Sequence, residues 1–303
     1  MSNEVTRDSD ERGRRWYHSN NKSVMSVTTV LQYLDEDTTG LQWWRQNNQG
    51  GPDSFHYEHV WWYSGPRGTL THWRCLDPLA DRDLWGEEEK KSLKALTDGP
   101  QDGEFDDASY GMSDILFSAL KNKDSDLGRD EVPNDESFTS VMMRDVEWAD
   151  EKFTELCRPL GIHKGAVIAV EQYLLNHKQG FGGQCDLLYE SPSGETVLAD
   201  LKTSSGLRQK HVVQAYAYAM AVEQDPDLPS EVDRCEIIRL SADNKEVKVH
   251  SSERPLHVPD NADWFTTDNW FEDQYGDYSY DGREDIEDEF QACIQQAYGE
   301  TEY

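Results

Sequence analysis

The sequence predicts an α/β fold, a central mixed β-sheet flanked by helices. Three observations carry the prediction. Between residues 165 and 250 the patterns run strand, strand, strand, helix, strand, strand, with short apolar runs on either side of one helix-length run. The turn-forming segments SPSGE (191–195) and SADNK (241–245) join two pairs of these strands as hairpins. Finally, 303 residues with 10 Trp, 14 Tyr and 9 Phe supply enough apolar volume for one large core.

Taken in order, residues 1–14 read as a charged tail and 16–26 as an extended segment leading into SVTTVLQYL, a short helix. Residues 38–48 form a further short element. The aromatic run 57–63 is expected to be buried, and GPRGTLTHWRCL (65–76) reads as a turn feeding a helix that contains His72. Residues 77–137 turn to Asp, Glu, Gly and Ser, an acidic insertion with short helices. Val146, Phe153 and Leu156 give residues 142–160 helical spacing, and GAVIAVEQYLL from Gly165 suits a buried strand. Strands follow at 183–190 and 196–203, a helix at 207–223, and a hairpin at 234–240 and 246–250. An acidic, aromatic stretch (261–282) and a closing helix (284–298) make up a C-terminal extension, 261–303. No internal repeat divides the chain, so 1–303 is read as one domain with its informative core at 165–223.

The formal charge is −31, from 60 Asp plus Glu against 29 Lys plus Arg. Disordered acidic chains lack this many aromatics. Acid spread along the whole chain fits a surface solvated in concentrated salt, as in a halophilic host or its virus; an acidic mimic of DNA is the competing reading. Such charge ordinarily opposes nucleic-acid binding. At about 1 M salt, however, the Debye length is roughly 3 Å, and only charges at the site itself count. The five cysteines are scattered without a CxxC pair, so they read as reduced thiols and no iron–sulfur cluster is expected. No apolar run reaches membrane-spanning length and the N-terminus lacks a signal-peptide core, which predicts an intracellular, cytoplasmic protein without a membrane partner.

The chemistry gathers in the strands around SPSGE. A hairpin centred on Ser193 pairs residues whose numbers sum to 386, so Asp186 faces Asp200. By the strand period of two, Gln184, Asp186, Leu188, Leu198, Asp200 and Lys202 share one face; Cys185, Leu187, Tyr189, Val197, Ala199 and Leu201 share an apolar one. Opposed carboxylates destabilise a sheet unless something bridges them. A divalent cation is the natural bridge, and oxygen ligands favour Mg²⁺ or Mn²⁺. Downstream, Gln214 and Tyr218 lie four apart on one side of a helix.

The segments GGQCD, ADLKTS and Gln214-Ala-Tyr-Ala-Tyr218, in that order, resemble the GxxD, DxK and QxxxY motifs of RecB-type PD-(D/E)xK nucleases, and GTLTH ending at His72 resembles their upstream histidine. SVTTVL (26–31) and Leu41-Gln-Trp-Trp44 are similar to segments of mitochondrial genome maintenance exonucleases and their phage relatives. The resemblance covers residues 16–76 and 140–250; the acidic insertion and C-terminal extension have no counterpart in it. It implies a restriction-endonuclease-like core that hydrolyses DNA with Mg²⁺ or Mn²⁺, from an end and on single strands, in replication, repair or recombination.

Carried onto this chain, the resemblance implies a metal held by His72, Glu171, Asp186, Asp200 and the Leu201 carbonyl, with Lys202 orienting water or stabilising charge. Glu190 and Glu195 are alternatives to Glu171. Gln214 and Tyr218 would meet the DNA near the cut, with Thr203, Ser204, Arg208 and Lys210 as phosphate contacts. Trp43, Trp44, Trp61, Trp62 and Trp73 are read as core residues rather than stacking platforms for bases. The alternatives are a double-strand recombination exonuclease and a non-catalytic DNA-binding or DNA-mimicking protein on a nuclease fold. The intact Asp, Asp, Lys set argues against the latter.

Overall fold

In the computed structural model the described residues are 5–19, 21–36, 38–51, 54–81, 90–91, 93–95, 112–134, 136–253, 264–270 and 280–299. Residues 96–111 of the acidic insertion and 271–279 of the C-terminal extension lie outside them. Among the described residues nine strands form one mixed sheet. They are β1 (Thr6–Ser9), β2 (Arg15–Ser19), β3 (Lys22–Ser26), β4 (Val167–Asn176), β5 (Phe181–Glu190), β6 (Thr196–Lys202), β7 (Arg234–Ser241), β8 (Glu246–Ser251) and β9 (Phe265–Asn269). The longer helices are α1 (Val27–Val30), α2 (Thr39–Asn47), α3 (Tyr57–Leu76), α4 (Met112–Lys123), α5 (Phe138–Leu160), α6 (Gln209–Val222) and α7 (Arg283–Gly299).

The sheet order is β1-β2-β3-β5-β6-β7-β8-β9, with β4 paired to β5. One edge of β5 is taken by β4 along its length. The other edge is shared: β3 runs parallel to its start through Phe181 and Gly182, and β6 runs antiparallel to its end from Leu187 to Glu190. Residues 183–186 therefore face a gap between β3 and β6. The β5–β6 pairs, Leu187 with Ala199 through Glu190 with Thr196, have numbers summing to 386, the register expected from the turn.

Both faces of the sheet are covered. Leu188, Leu198 and Ile237 pack under α1, α6 and α7, while Leu187, Tyr189, Val197, Ala199 and Leu201 pack under α5. On the hairpin face that carries the charges, Leu188 and Leu198 are fully buried, and the charges occupy only its end. The alanine-rich run of α6 favours helix and lets it lie close on the strands. Helix α5 begins with Ser137 accepting from the Ser140 N–H at 3.1 Å and ends at Gly161, whose φ of +75° suits a left-handed cap.

Three sequence expectations change. Residues 57–76 form one helix through Gly65-Pro66, because Val60, Tyr63, Arg67, Leu70 and Thr71 keep a single buried stripe across the proline. Within the stretch read as a charged tail, Thr6–Ser9 is an edge strand paired to β2. Phe265–Asn269, in the acidic C-terminal stretch, adds a parallel edge strand to β8. In the acidic insertion, α4 buries Ile115, Leu116 and Ala119 with Tyr63, Leu70, Phe138 and Met142 in a third apolar cluster.

Candidate active site

The site lies where β5 and β6 part. Asp186 and Asp200 sit one pair beyond the last paired residues, Leu187 and Ala199. Here the Asp186 carboxylate replaces the missing ladder bond: its Oδ2 accepts the Leu201 N–H at 2.7 Å. Asp200 is almost fully enclosed, and its Oδ2 is ion-paired to the Lys202 ammonium.

Glu171 reaches the same point from β4. Its φ is +46°, a left-handed conformation that a β-strand residue adopts only under constraint. The twist interrupts the pairing opposite Asp186, between Val170 with Leu187 and Gln172 with Cys185. His72, from α3, closes the cluster. Its Nδ1 lies 3.5 Å from Asp186 Oδ1 and 3.8 Å from Glu171 Oε1, and its Nε2 donates to the Leu201 carbonyl at 3.1 Å.

Electrostatics divides the acids. Burial pushes every carboxylate up, but His72, Lys202 and the Leu201 N–H outweigh it at Asp186, which is held below the usual range. Burial prevails at Glu171, which is raised, and at Asp200, which is pushed up to about 6 despite Lys202. His72 is opposed by burial, yet Asp186 and Glu171 push it up to about 10. Burial likewise opposes the Lys202 charge, but Asp200 and Asp186 raise it, so Lys202 is an ammonium at neutral pH rather than a ready base.

These residues fit a divalent cation. Ligand atoms of His72, Glu171 and Asp186 lie within 4.8 Å of one another. Two ligands on opposite sides of a Mg²⁺ ion, at about 2.1 Å each, are about 4.2 Å apart, so a small contraction suffices. The oxygen-rich donor set, with one imidazole, is that of a hard cation. The buried Asp200 carboxylate and the Leu201 carbonyl provide further oxygens beside it.

The structure brings together His72, Glu171, Asp186, Asp200, Leu201 and Lys202. The two alternatives to Glu171 stand apart, because Glu190 pairs with Thr196 at the far end of the hairpin and Glu195 is held by Arg234 at 2.8 Å. Gln214 donates to the Tyr218 hydroxyl at 2.8 Å. A Cβ at Gly183 would lie 2.4 Å from Tyr218 Cε1, so the glycine of GxxD is required for this ring to lie on β5. Thr203, Ser204 and Arg208 line a cleft of about 870 Å³; Lys202 and Lys210 are not among its lining residues.

The tryptophans divide, two packing as expected and others not. Trp62 and Trp73 pack against the α3–α4–α5 cluster. Trp43 and Trp61 are 65% and 40% exposed, and Trp61 and Trp44 line the cleft. The signal that could have found them is helical spacing: Trp61 falls off the buried stripe of Val60, Tyr63 and Arg67.

Among the described residues, no helix is long and apolar enough to cross a membrane. No curated protein matches the chain. The family model described as the PD-(D/E)XK nuclease superfamily matches residues 40–301. That family implies nuclease chemistry on DNA, and its members typically use divalent metals. With most of its length matched and its carboxylates and lysine gathered where β5 and β6 part, the chain belongs to the PD-(D/E)XK nuclease superfamily.

Proposed function

We propose that the chain is a Mg²⁺- or Mn²⁺-dependent deoxyribonuclease that hydrolyses single-stranded DNA from an end. The observation that carries the reading is the convergence of His72, Glu171 and Asp186, whose ligand atoms lie within 4.8 Å of one another, beside the buried Asp200–Lys202 pair. When bound, the metal would supply an acidified water and neutralise charge on the phosphate. His72, Glu171, Asp186, Asp200 and the Leu201 carbonyl would hold it.

The remaining steps belong to the chain's own groups. Lys202, kept charged by Asp200 and Asp186, would stabilise the extra negative charge of the phosphate in the transition state. Asp186, tied to the Leu201 N–H, fixes β6 relative to β5 and so sets where that ammonium stands. Gln214 and Tyr218 would engage the strand near the cut, with Thr203, Ser204, Arg208 and Lys210 taking phosphates.

End-dependence rests on the resemblance of SVTTVL, LQWW and GTLTH to mitochondrial genome maintenance exonucleases and their phage relatives. The setting is replication, repair or recombination inside a halophilic cell or a cell infected by its virus. Linear single-stranded DNA should shorten progressively from a terminus with Mg²⁺ or Mn²⁺, and covalently closed circles of the same sequence should resist. Circles cut at the same rate would make the enzyme an endonuclease. Degradation of linear duplex in preference to single strands would favour the double-strand recombination exonuclease.

A further inference from the structure

We propose that the cleft between α2, α3 and the β6–α6 loop is a subsite for unpaired nucleobases, with Trp61 as its stacking platform. Stacking, rather than phosphate charge, supplies most of its hold on the strand. The inference rests on the nucleic-acid reading above and adds how the strand is gripped.

Position comes first. Thr203, in the cleft wall, directly follows Lys202, and a Cβ at Gly68, one helical turn before His72, would lie 3.4 Å from Thr203 Oγ1. The cleft thus adjoins the carboxylate cluster along β6 and α3, while its own lining begins at Thr203. Its volume of about 870 Å³ falls within the roughly 300–1,000 Å³ of sites that enclose small ligands. That holds bases of a single strand; it cannot lodge a duplex.

Next is the platform. Trp61 is 40% exposed, yet its indole is fixed by neighbours: the Arg45 guanidinium lies 4.3 Å from the ring centroid and the Tyr57 ring meets its edge at 5.1 Å. An aromatic surface already held in place loses little freedom on binding. Trp44 lines the same cleft, so a second aromatic borders the path.

Charge then decides the mode of binding. Asp35, Glu36 and Asp243 are in the wall. Arg67 also lines the cleft, but Asp243 holds it through two bonds of 2.7 and 2.8 Å and Asp145 through one of 3.1 Å. Among the described residues, Arg208 is the cleft guanidinium that makes no ion pair. A wall of this kind gathers few phosphates, whereas every base offers a π-face.

The consequence is measurable as salt dependence. For single strands, log K falls with log salt by about 0.7 per phosphate contact, so Lys202, Arg208 and Lys210 together give a slope near −2.1 at most, against about −4 to −7 for six to ten contacts. The test is fluorescence anisotropy of a short labelled single strand with the full chain in EDTA, from 0.1 to 3 M KCl. We expect that shallow slope in the parent. Trp61→Ala should bind about 5- to 150-fold more weakly at every salt, the loss of one stacked base, with its slope unchanged. Trp61→Phe, which keeps an aromatic face and guards against a folding artefact, should stay near the parent. Arg208→Ala should flatten the slope by about 0.7.

Parent-like binding by Trp61→Ala, or a slope steeper than about −4, overturns the proposal. Its failure is separable from failure of the nuclease reading. Cleavage with metal but no Trp61 dependence removes the subsite alone; Trp61-dependent binding without metal-dependent cleavage leaves the subsite and removes the catalysis.

Discussion

At neutral pH His72 carries a proton that it must give up to ligate a metal, because Asp186 and Glu171 push it up to about 10 against burial. Metal and proton therefore compete for one nitrogen. Titration of Mn²⁺ by calorimetry at pH 8, in buffers of different ionisation enthalpy, should reveal release of about one proton per metal. Below pH 6 the count should rise towards about two, since Asp200, pushed up to about 6, is then protonated as well. His72→Asn should bring the count at pH 8 close to zero. Binding without proton release in the parent would place the metal away from His72.

At the scale of elements, the nuclease core is held to its helical layer by a buried charge network. Asp145 of α5 accepts from Tyr63 at 2.6 Å and Arg67 at 3.1 Å, both on α3, and meets Lys123 of α4; Asp243 in the β7–β8 turn holds the far side of Arg67. Burial raises Asp145, but Lys123, Tyr63 and Arg67 outweigh it and hold it below 3.8. The sign follows: this stabilisation is present above pH 3.8 and is lost as pH falls through the lower folded value. Asp145→Ala should cost about 3–5 kcal/mol in urea unfolding near pH 7, because it leaves buried cations uncompensated. Asp145→Asn should flatten the acid limb of the stability curve. An unchanged acid limb would show that the pair is not coupled to folding.

The same scale shows what could be read in advance. The turn centred on Ser193 set the β5–β6 register, and with it the proximity of Asp186 to Asp200, since one buried sheet face tolerates no slip. Glu171 was implied by the resemblance, as the carboxylate at the end of GAVIAVE, but its left-handed backbone was not legible in the sequence. The continuity of α3 through Pro66 was hidden, as packing of one stripe overrides a local breaker. Strand β9, with the polar residues Thr266, Thr267, Asp268 and Asn269, has no alternation to read; β8 recruits it as a neighbour.

At the scale of the whole molecule, a charge of −31 makes self-repulsion a standing cost that salt relieves. Melting temperature should climb between 0.1 and 3 M KCl; a flat or falling trend would remove the halophilic setting. The central claim is metal-dependent hydrolysis at the carboxylates beside the β5–β6 junction. It is tested most directly by cleavage of end-labelled linear single-stranded DNA in high KCl, with Mn²⁺ or Mg²⁺ and with EDTA, comparing the parent with Asp200→Ala. The account predicts cleavage by the parent with metal only, and loss of nearly all of it in an Asp200→Ala protein that still melts cooperatively. Cleavage in EDTA, or parent-like cleavage by Asp200→Ala, would contradict it.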